Sequence, residues 1–390
     1  MPKHLLLATV EDSADVKSWS GIPFSLRVAL ERHVDRLTVF RPSKPRRDPL
    51  NVALRLAMGG TPPRWPLWMT EATLRQNARE LAEAVKSSGA EAVLSISSQC
   101  LARLDPFPVP AYLFSDSPWM AWKEAYAEYE PMPIRAKAFA RAEAAAARRC
   151  SGLFFGSAWA TGEAERFYFG GEASPEQRAR LHVTQLGANW RPEVSAEDVL
   201  AAVRGRSRER LDLLFVGKDW ERKGGPLAVQ VVERLRAAGA NACLQLVGCR
   251  PELPPALIEG DQPAVRVHGA LYQNVPAERA QLHELFLRSH LLLVPTQAEC
   301  FGIAFAEAQA FGLPPVSRAI QALPSVVEDG VTGLLMATDS TAQQYADRIL
   351  GTMADWSGYV TMAERGMERA ANVTSWDAMA QSMVRVIFED

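Results

Sequence analysis

Two carboxylates, Glu299 and Glu307, are separated by seven residues in the run Glu299-Cys-Phe-Gly-Ile-Ala-Phe-Ala-Glu307, just after an apolar stretch at Leu291–Val294. A strand, a loop and a helix start are expected there. If the helix opens near Phe301 or Gly302, its free N–H groups and positive dipole end suit an anionic oxygen such as that of a diphosphate. Gly302 lets that ligand come close to the backbone. Glu307, more than one turn into the helix, offers two acceptor oxygens to a ribose diol, and Glu299, in the loop, can accept from hydroxyls of a sugar beyond the phosphates. A solvated surface acid is the bland alternative, but Ala304, Ala306, Ala308 and Phe311 around Glu307 favour a partly buried, partnered carboxylate.

A second loop, Phe215-Val-Gly217-Lys218-Asp-Trp-Glu-Arg222-Lys223-Gly224-Gly225-Pro226, places Lys218, Arg222 and Lys223 between an apolar run and a helix start. Such cations can neutralise a diphosphate and stabilise it as a leaving group. A basic loop alone is most often merely solvated; beside the glutamate pair it carries more weight. In the run Ser18-Trp-Ser-Gly21-Ile-Pro, Gly21 precedes a helix start and is read either as a ligand-facing turn or as a plain helix entry. In Ser115-Asp116-Ser-Pro-Trp119, Asp116 is an acid for an acceptor hydroxyl or the reacting sugar, or else a helix N-cap. No strand is followed by GxGxxG, and Walker A, GxSxG and Asp-x-Asp runs are missing. No Cys/His group has zinc spacing, so neither a metal nor a dinucleotide cofactor is expected.

These loops need a frame that delivers them to one place. Strands are expected at Leu5–Val10, Leu37–Phe40, Ala92–Ile96, Ala111–Phe114, Leu153–Phe155 and Val183–Leu186, alternating with helices at Pro23–Arg32, Glu71–Ser87, Ile134–Arg149 and Ala158–Arg166. After a polar stretch at Pro192–Arg210, a second alternation has strands at Leu213–Val216, Leu244–Val247, Val265–His268, Leu291–Val294 and Pro315–Ser317. Its helices are Pro226–Ala238, Ala277–Arg288 and Ile303–Phe311. Apolar strands alternating with helices make parallel sheets covered on both faces. The expected class is α/β, with a first Rossmann-like domain over 1–191, a linker over 192–210, a second domain over 211–365, and a terminal helix in 366–390 packing back toward the first.

The 390 residues carry a formal net charge of −2 and are 48% hydrophobic, which fits a packed α/β protein and argues against a nucleic-acid partner. The five cysteines are scattered and odd in number, pointing to reduced thiols and a cytoplasmic location. The start, apolar only to Val10 and then acidic, reads as a strand rather than a leader. No apolar run reaches the length of about 18 residues that spans a bilayer. Of the helices, Ile134–Arg149 is the nearest candidate for peripheral membrane contact, while Trp65 and Trp68 within Met58–Thr70 could stack on an acceptor sugar or lipid.

The Glu299–Glu307 spacing, its continuation Ala308-Gln-Ala-Phe-Gly312-Leu-Pro314, the runs Phe215-Val-Gly217…Lys223-Gly224 and Gly330-Val-Thr-Gly333-Leu, and Gly187-Ala-Asn189 resemble the family 4 retaining glycosyltransferases (group 1 glycosyl transferases). Ser18-Trp-Ser-Gly21-Ile-Pro and Ser157-Ala-Trp159-Ala resemble them as well. The resemblance implies the GT-B fold, two Rossmann-like domains with parallel sheets facing a central cleft. It implies a nucleotide-sugar donor held mostly by the second domain, a hydroxyl acceptor, and metal-independent transfer with retention at the anomeric carbon. By position, Glu307 would bind the ribose and Glu299 the donor sugar. The backbone at Phe301, Gly302 and Ile303 would meet sugar or phosphate, Gly21 and Gly217 would line the donor site, and Lys223 would hold phosphate. Lys218 stands where the family often has Arg; lysine is a point charge without the bidentate fork of a guanidinium, and Arg222 could compensate, or Lys218 could suffice. Asp116 falls near a loop where many members carry a His or Asp. The same fold also serves epimerases, phosphorylases and nucleotide-sugar-binding proteins without transferase activity. The acceptor and the oligomeric state are left open.

Overall fold

A computed structural model describes residues 3–43, 70–96, 98–126 and 133–389. Trp65 and Trp68 lie outside the described residues. The chain divides into two compact units, one of residues 1–186 with 376–390 and one of residues 187–375.

The first unit holds a six-stranded sheet in the order β2-β1-β3-β4-β5-β6. The strands are β1 His4–Thr9, β2 Arg36–Phe40, β3 Ala92–Ile96, β4 Ala111–Ser115, β5 Gly152–Phe155 and β6 Leu181–Val183, and every pairing is parallel. β1, β3, β4 and β5 are buried along their whole length, the signature of strands covered on both faces. β6 lies at Leu181–Val183 rather than 183–186, because His182 and Val183 pair with Phe154 and Phe155. The terminal helix Trp376–Phe388 belongs to this unit. It buries Trp376, Met379, Ala380, Met383, Val384 and Ile387, and Asp377 meets Arg32 at 3.1 Å and His33 at 3.0 Å.

The second unit holds another all-parallel sheet, ordered β12-β11-β10-β7-β8-β9. Its strands are β7 Leu211–Val216, β8 Ala242–Val247, β9 Val265–Gly269, β10 Leu291–Leu293, β11 Pro315–Arg318 and β12 Leu334–Met336. The stretch expected to be a linker, 192–210, is part of this unit. Its helix Ala196–Arg204 starts on a Ser195/Asp198 capping box and buries Val199 and Val203. The boundary sits earlier, at Gly187, because Trp190 packs among Phe311, Phe286 and His283 with ring centroids 4.4, 5.1 and 5.9 Å away. Arg206, buried beneath the same region, donates to the carbonyls of Leu287 and Gly312 at 3.0 and 2.8 Å.

Candidate functional site

Chain connections in the second sheet reverse direction between β7 and β10. From β7 the strands run outward through β8 to β9, and on the other side from β10 through β11 to β12. Loops that leave adjacent strands on opposite sides of such a switch open a crevice beyond the carboxyl ends, where ligands bind in open α/β sheets. The two loops here are the cation-bearing 217–224 and the glutamate-bearing 294–302. Arg222 and Ala298, 76 positions apart in sequence, thus become neighbours for a topological reason.

The two loops are stitched together. Gln297 N–H donates to the carbonyl of Arg222 at 2.7 Å, and the Arg222 guanidinium donates to the carbonyl of Ala298 at 2.9 Å. The Arg222 side chain also pairs with Asp219 at 3.2 Å. Arg222 is therefore committed largely to holding loop to loop. Lys223 forms an ion pair with Glu299, whose side chain is 7% exposed; Arg222 lies 3.9 Å from the same carboxylate. A buried carboxylate needs such partners. Lys218, exposed at the end of β7, makes no hydrogen bond or ion pair among the described residues.

Close approach of the loops depends on Gly224. Its φ is +76°, and a Cβ there would stand 2.1 Å from the carbonyl oxygen of Pro295. Gly224→Ala is expected to cost more than about 1 kcal/mol, since both the left-handed backbone and the contact oppose it. A thermal melt should show a drop of several degrees; an unchanged melting temperature would contradict the close packing.

Gly302 is the residue before the helix Ile303–Ala310 and has φ +90°. Phe301 is buried, so that side chain serves packing while its backbone stands at the helix entrance. Glu307 is half-buried on this helix, and removal from water pushes its carboxyl up to about 8, opposed only by the Trp190 N–H that donates to it. The segment containing Gly187-Ala-Asn189 thus leads directly to the partner of the second glutamate.

Sequence reasoning overlooked Gln321. It follows β11, its side-chain oxygen accepts the Glu299 N–H at 2.6 Å, and its φ is +44°. Among the described residues, only Trp19 and Ser20 are other non-glycines with positive φ. No motif signals it; only its place at a strand end does.

In the first unit, Gly21 has φ +79° and precedes the helix Ile22–Leu30, with Trp19 and Ser20 also left-handed at +41° and +54°. Three consecutive residues in that region mark a strained entry. The structure does not use Asp116 as a cap: the helix Trp119–Ala125 has Pro118 at its N-cap and no side-chain cap from within the loop. Buried Glu143, overlooked in the sequence, takes that role from the helix Pro133–Arg149. Its two oxygens accept from Trp119 N–H and Ser98 Oγ, both at 3.1 Å, and burial pushes it up to about 7. Asp116, left half-buried in the gripped loop, is pushed up to about 6 by desolvation, offset by backbone N–H groups of Ser117 and its own residue. On the helix Pro133–Arg149, Phe139, Ala142, Ala146 and Ala147 are buried, so its apolar face serves the core. Among the described residues, no helix is long and apolar enough to cross a membrane.

Comparison with known proteins matches residues 210–355 to the family model described as glycosyl transferases group 1. D-inositol 3-phosphate glycosyltransferase of Xylanimonas cellulosilytica is 31% identical over 220 residues, covering 53% of this chain and 51% of that protein. The Mycobacterium tuberculosis protein of the same name is 36% identical over 120 residues, covering 29% of this chain and 25% of its own. The chain thus spans about half or less of the curated relatives it matches. Among solved structures, WaaG, a glycosyltransferase involved in lipopolysaccharide biosynthesis, superposes with a TM-score of 0.61 at 15% identity, covering 99% of this chain and 100% of that one. Anabaena HepE in complex with UDP gives 0.64 at 16% identity, covering 98% of each. The two six-stranded parallel α/β sheets share the GT-B fold of these solved glycosyltransferases, and residues 210–355 are similar to the group 1 glycosyl transferases.

Proposed function

We propose that the protein transfers a sugar from a nucleoside diphosphate to an acceptor hydroxyl, with retention at the anomeric carbon and without a metal. The observation that supports this best is the Lys223–Glu299 pair at the β7/β10 switch, beside the entrance of the Ile303–Ala310 helix. It sets an acceptor for sugar hydroxyls next to a cation for phosphate. An ammonium has three donors, so Lys223 can keep Glu299 and still take a phosphate oxygen. Lys218 and the N–H groups near Gly302 would supply the remaining countercharge, and Glu307 would receive the ribose diol.

In the step itself, the bond from the anomeric carbon to the phosphate oxygen breaks and its electron pair moves onto the diphosphate. The acceptor oxygen bonds to the same face of that carbon, and its proton passes to the departing phosphate. Developing charge on the leaving oxygen is what the lysines and the helix end would stabilise. Asp116 is assigned to the acceptor side.

Relatives named for inositol phosphate and a neighbour holding UDP support a nucleotide-sugar donor and a hydroxyl-bearing acceptor class. The test is incubation with UDP-, GDP- and ADP-sugars and polyol acceptors, followed by proton NMR of the product. An axial donor bond should give an axial product. Inversion would sink the retaining assignment, and an isomerised free donor or a sugar phosphate would turn the reading to epimerase or phosphorylase chemistry.

A further inference from the structure

Gln321 combines three features that a loop residue of no consequence would not hold together. Its backbone sits at φ +44°, a region that a side-chain-bearing residue occupies only when its surroundings over-determine it. Its side-chain oxygen holds the N–H of Glu299 at 2.6 Å. It is half-buried, and the segment it opens runs against the helix entrance, since a Cβ on Gly302 would meet Leu323 at 2.9 Å.

The carboxamide's orientation follows from chemistry. Only its oxygen can accept from an N–H, so the NH2 end is turned the other way. That end makes no hydrogen bond among the described residues. The Glu299 carboxylate can only accept, and Lys223 already donates to it. A sugar ring presents hydroxyls that both donate and accept. Beside an acceptor-only carboxylate, a fixed amide donor supplies the missing half of that recognition.

We infer that Gln321 is a donor-positioning residue, whose oxygen fixes the backbone of Glu299 and whose NH2 group donates to a hydroxyl of the glycosyl moiety. The inference rests on the nucleotide-sugar reading above and names a contact within it.

The probes are UDP, GDP and ADP, each alone and as its glucose conjugate, titrated by calorimetry into wild type, Gln321→Gly and Gln321→Glu. Glycine accepts the positive φ without strain, so Gln321→Gly should fold with a melting temperature within a few degrees of wild type. Gln321→Glu keeps an acceptor for the Glu299 N–H but loses the donors. Both variants should bind the preferred bare diphosphate as wild type does, while binding its glucose conjugate about tenfold more weakly, the size expected for one lost hydrogen bond. Unchanged affinity for the conjugate would overturn the inference. So would an equal loss for diphosphate and conjugate, which would mark Gln321 as a prop for the loop alone. If wild type itself binds neither kind of probe, the nucleotide-sugar reading fails, and the inference falls with it.

Discussion

Lys223→Ala should lower release of nucleoside diphosphate from the donor by about 10²–10³-fold, the usual loss when one charged donor is removed from a developing anion. The lysine sits where two requirements meet. It pairs with a Glu299 side chain that is only 7% exposed, and it comes from the loop at the end of β7, on the cation side of the switch. Truncation therefore has two effects, loss of positive charge at the diphosphate and abandonment of a buried carboxylate. Arg222, 3.9 Å from Glu299 and already bonded to Asp219 and the Ala298 carbonyl, is poorly placed to replace it. The two effects separate in the double variant Lys223→Ala/Glu299→Gln. It should regain the melting temperature that Lys223→Ala loses without regaining turnover. Recovery of turnover would show that the lysine acts only by neutralising Glu299.

Glu307→Gln should weaken binding of the preferred nucleoside diphosphate by about 10–100-fold at pH 8 and above, as expected when hydrogen bonds to a charged acceptor are replaced by neutral ones. The pH dependence is the sharper signature. Burial holds the Glu307 carboxyl at about 8, against an ordinary value of 4.5. A diol that donates to the ionised form must therefore displace a proton at neutral pH. In wild type, affinity should climb as pH rises from 6 to 8 and then level, and calorimetry in buffers of different ionisation heat should register proton release near pH 7. The stability consequence has the opposite sign. A raised carboxyl stabilises the fold fully below its unfolded value, and that contribution is lost as pH rises through about 8. Glu307→Gln should thus bind worse yet lose less stability toward pH 9. A wild-type pH profile in the variant would remove Glu307 from the site.

Much of the fold was legible in the sequence. Unbroken apolar strands alternating with helices required parallel sheets, and the run from Glu299 to Glu307 does cross a strand-to-helix junction, with Gly302 just before the helix. What the linear text could not convey was adjacency. β7 and β10 are separated by two strands in sequence and paired in space, and only the sheet order brings Lys223 to Glu299. The division between units was hidden for a similar reason. The polar composition of 192–210 resembles a linker, yet Trp190 anchors the preceding residues among Phe286 and Phe311. Asp116 had two readings, and what decides against the cap lies 27 residues away, in Glu143 donating neither charge nor catalysis but an acceptor for the Trp119 N–H. Gln321 left no trace at all, because its significance lies in a backbone angle and a single long-range hydrogen bond.

On the proposed reading, the β7/β10 switch is a nucleotide-sugar site whose charge comes from Lys223. Its most direct measurement is a calorimetric titration of UDP-, GDP- and ADP-glucose into wild type and Lys223→Ala at pH 8. Saturable, one-site binding of at least one of them to wild type is expected, with its loss, or a fall of at least about tenfold, in the variant. Binding of none to wild type, or equal binding to both proteins, would contradict it.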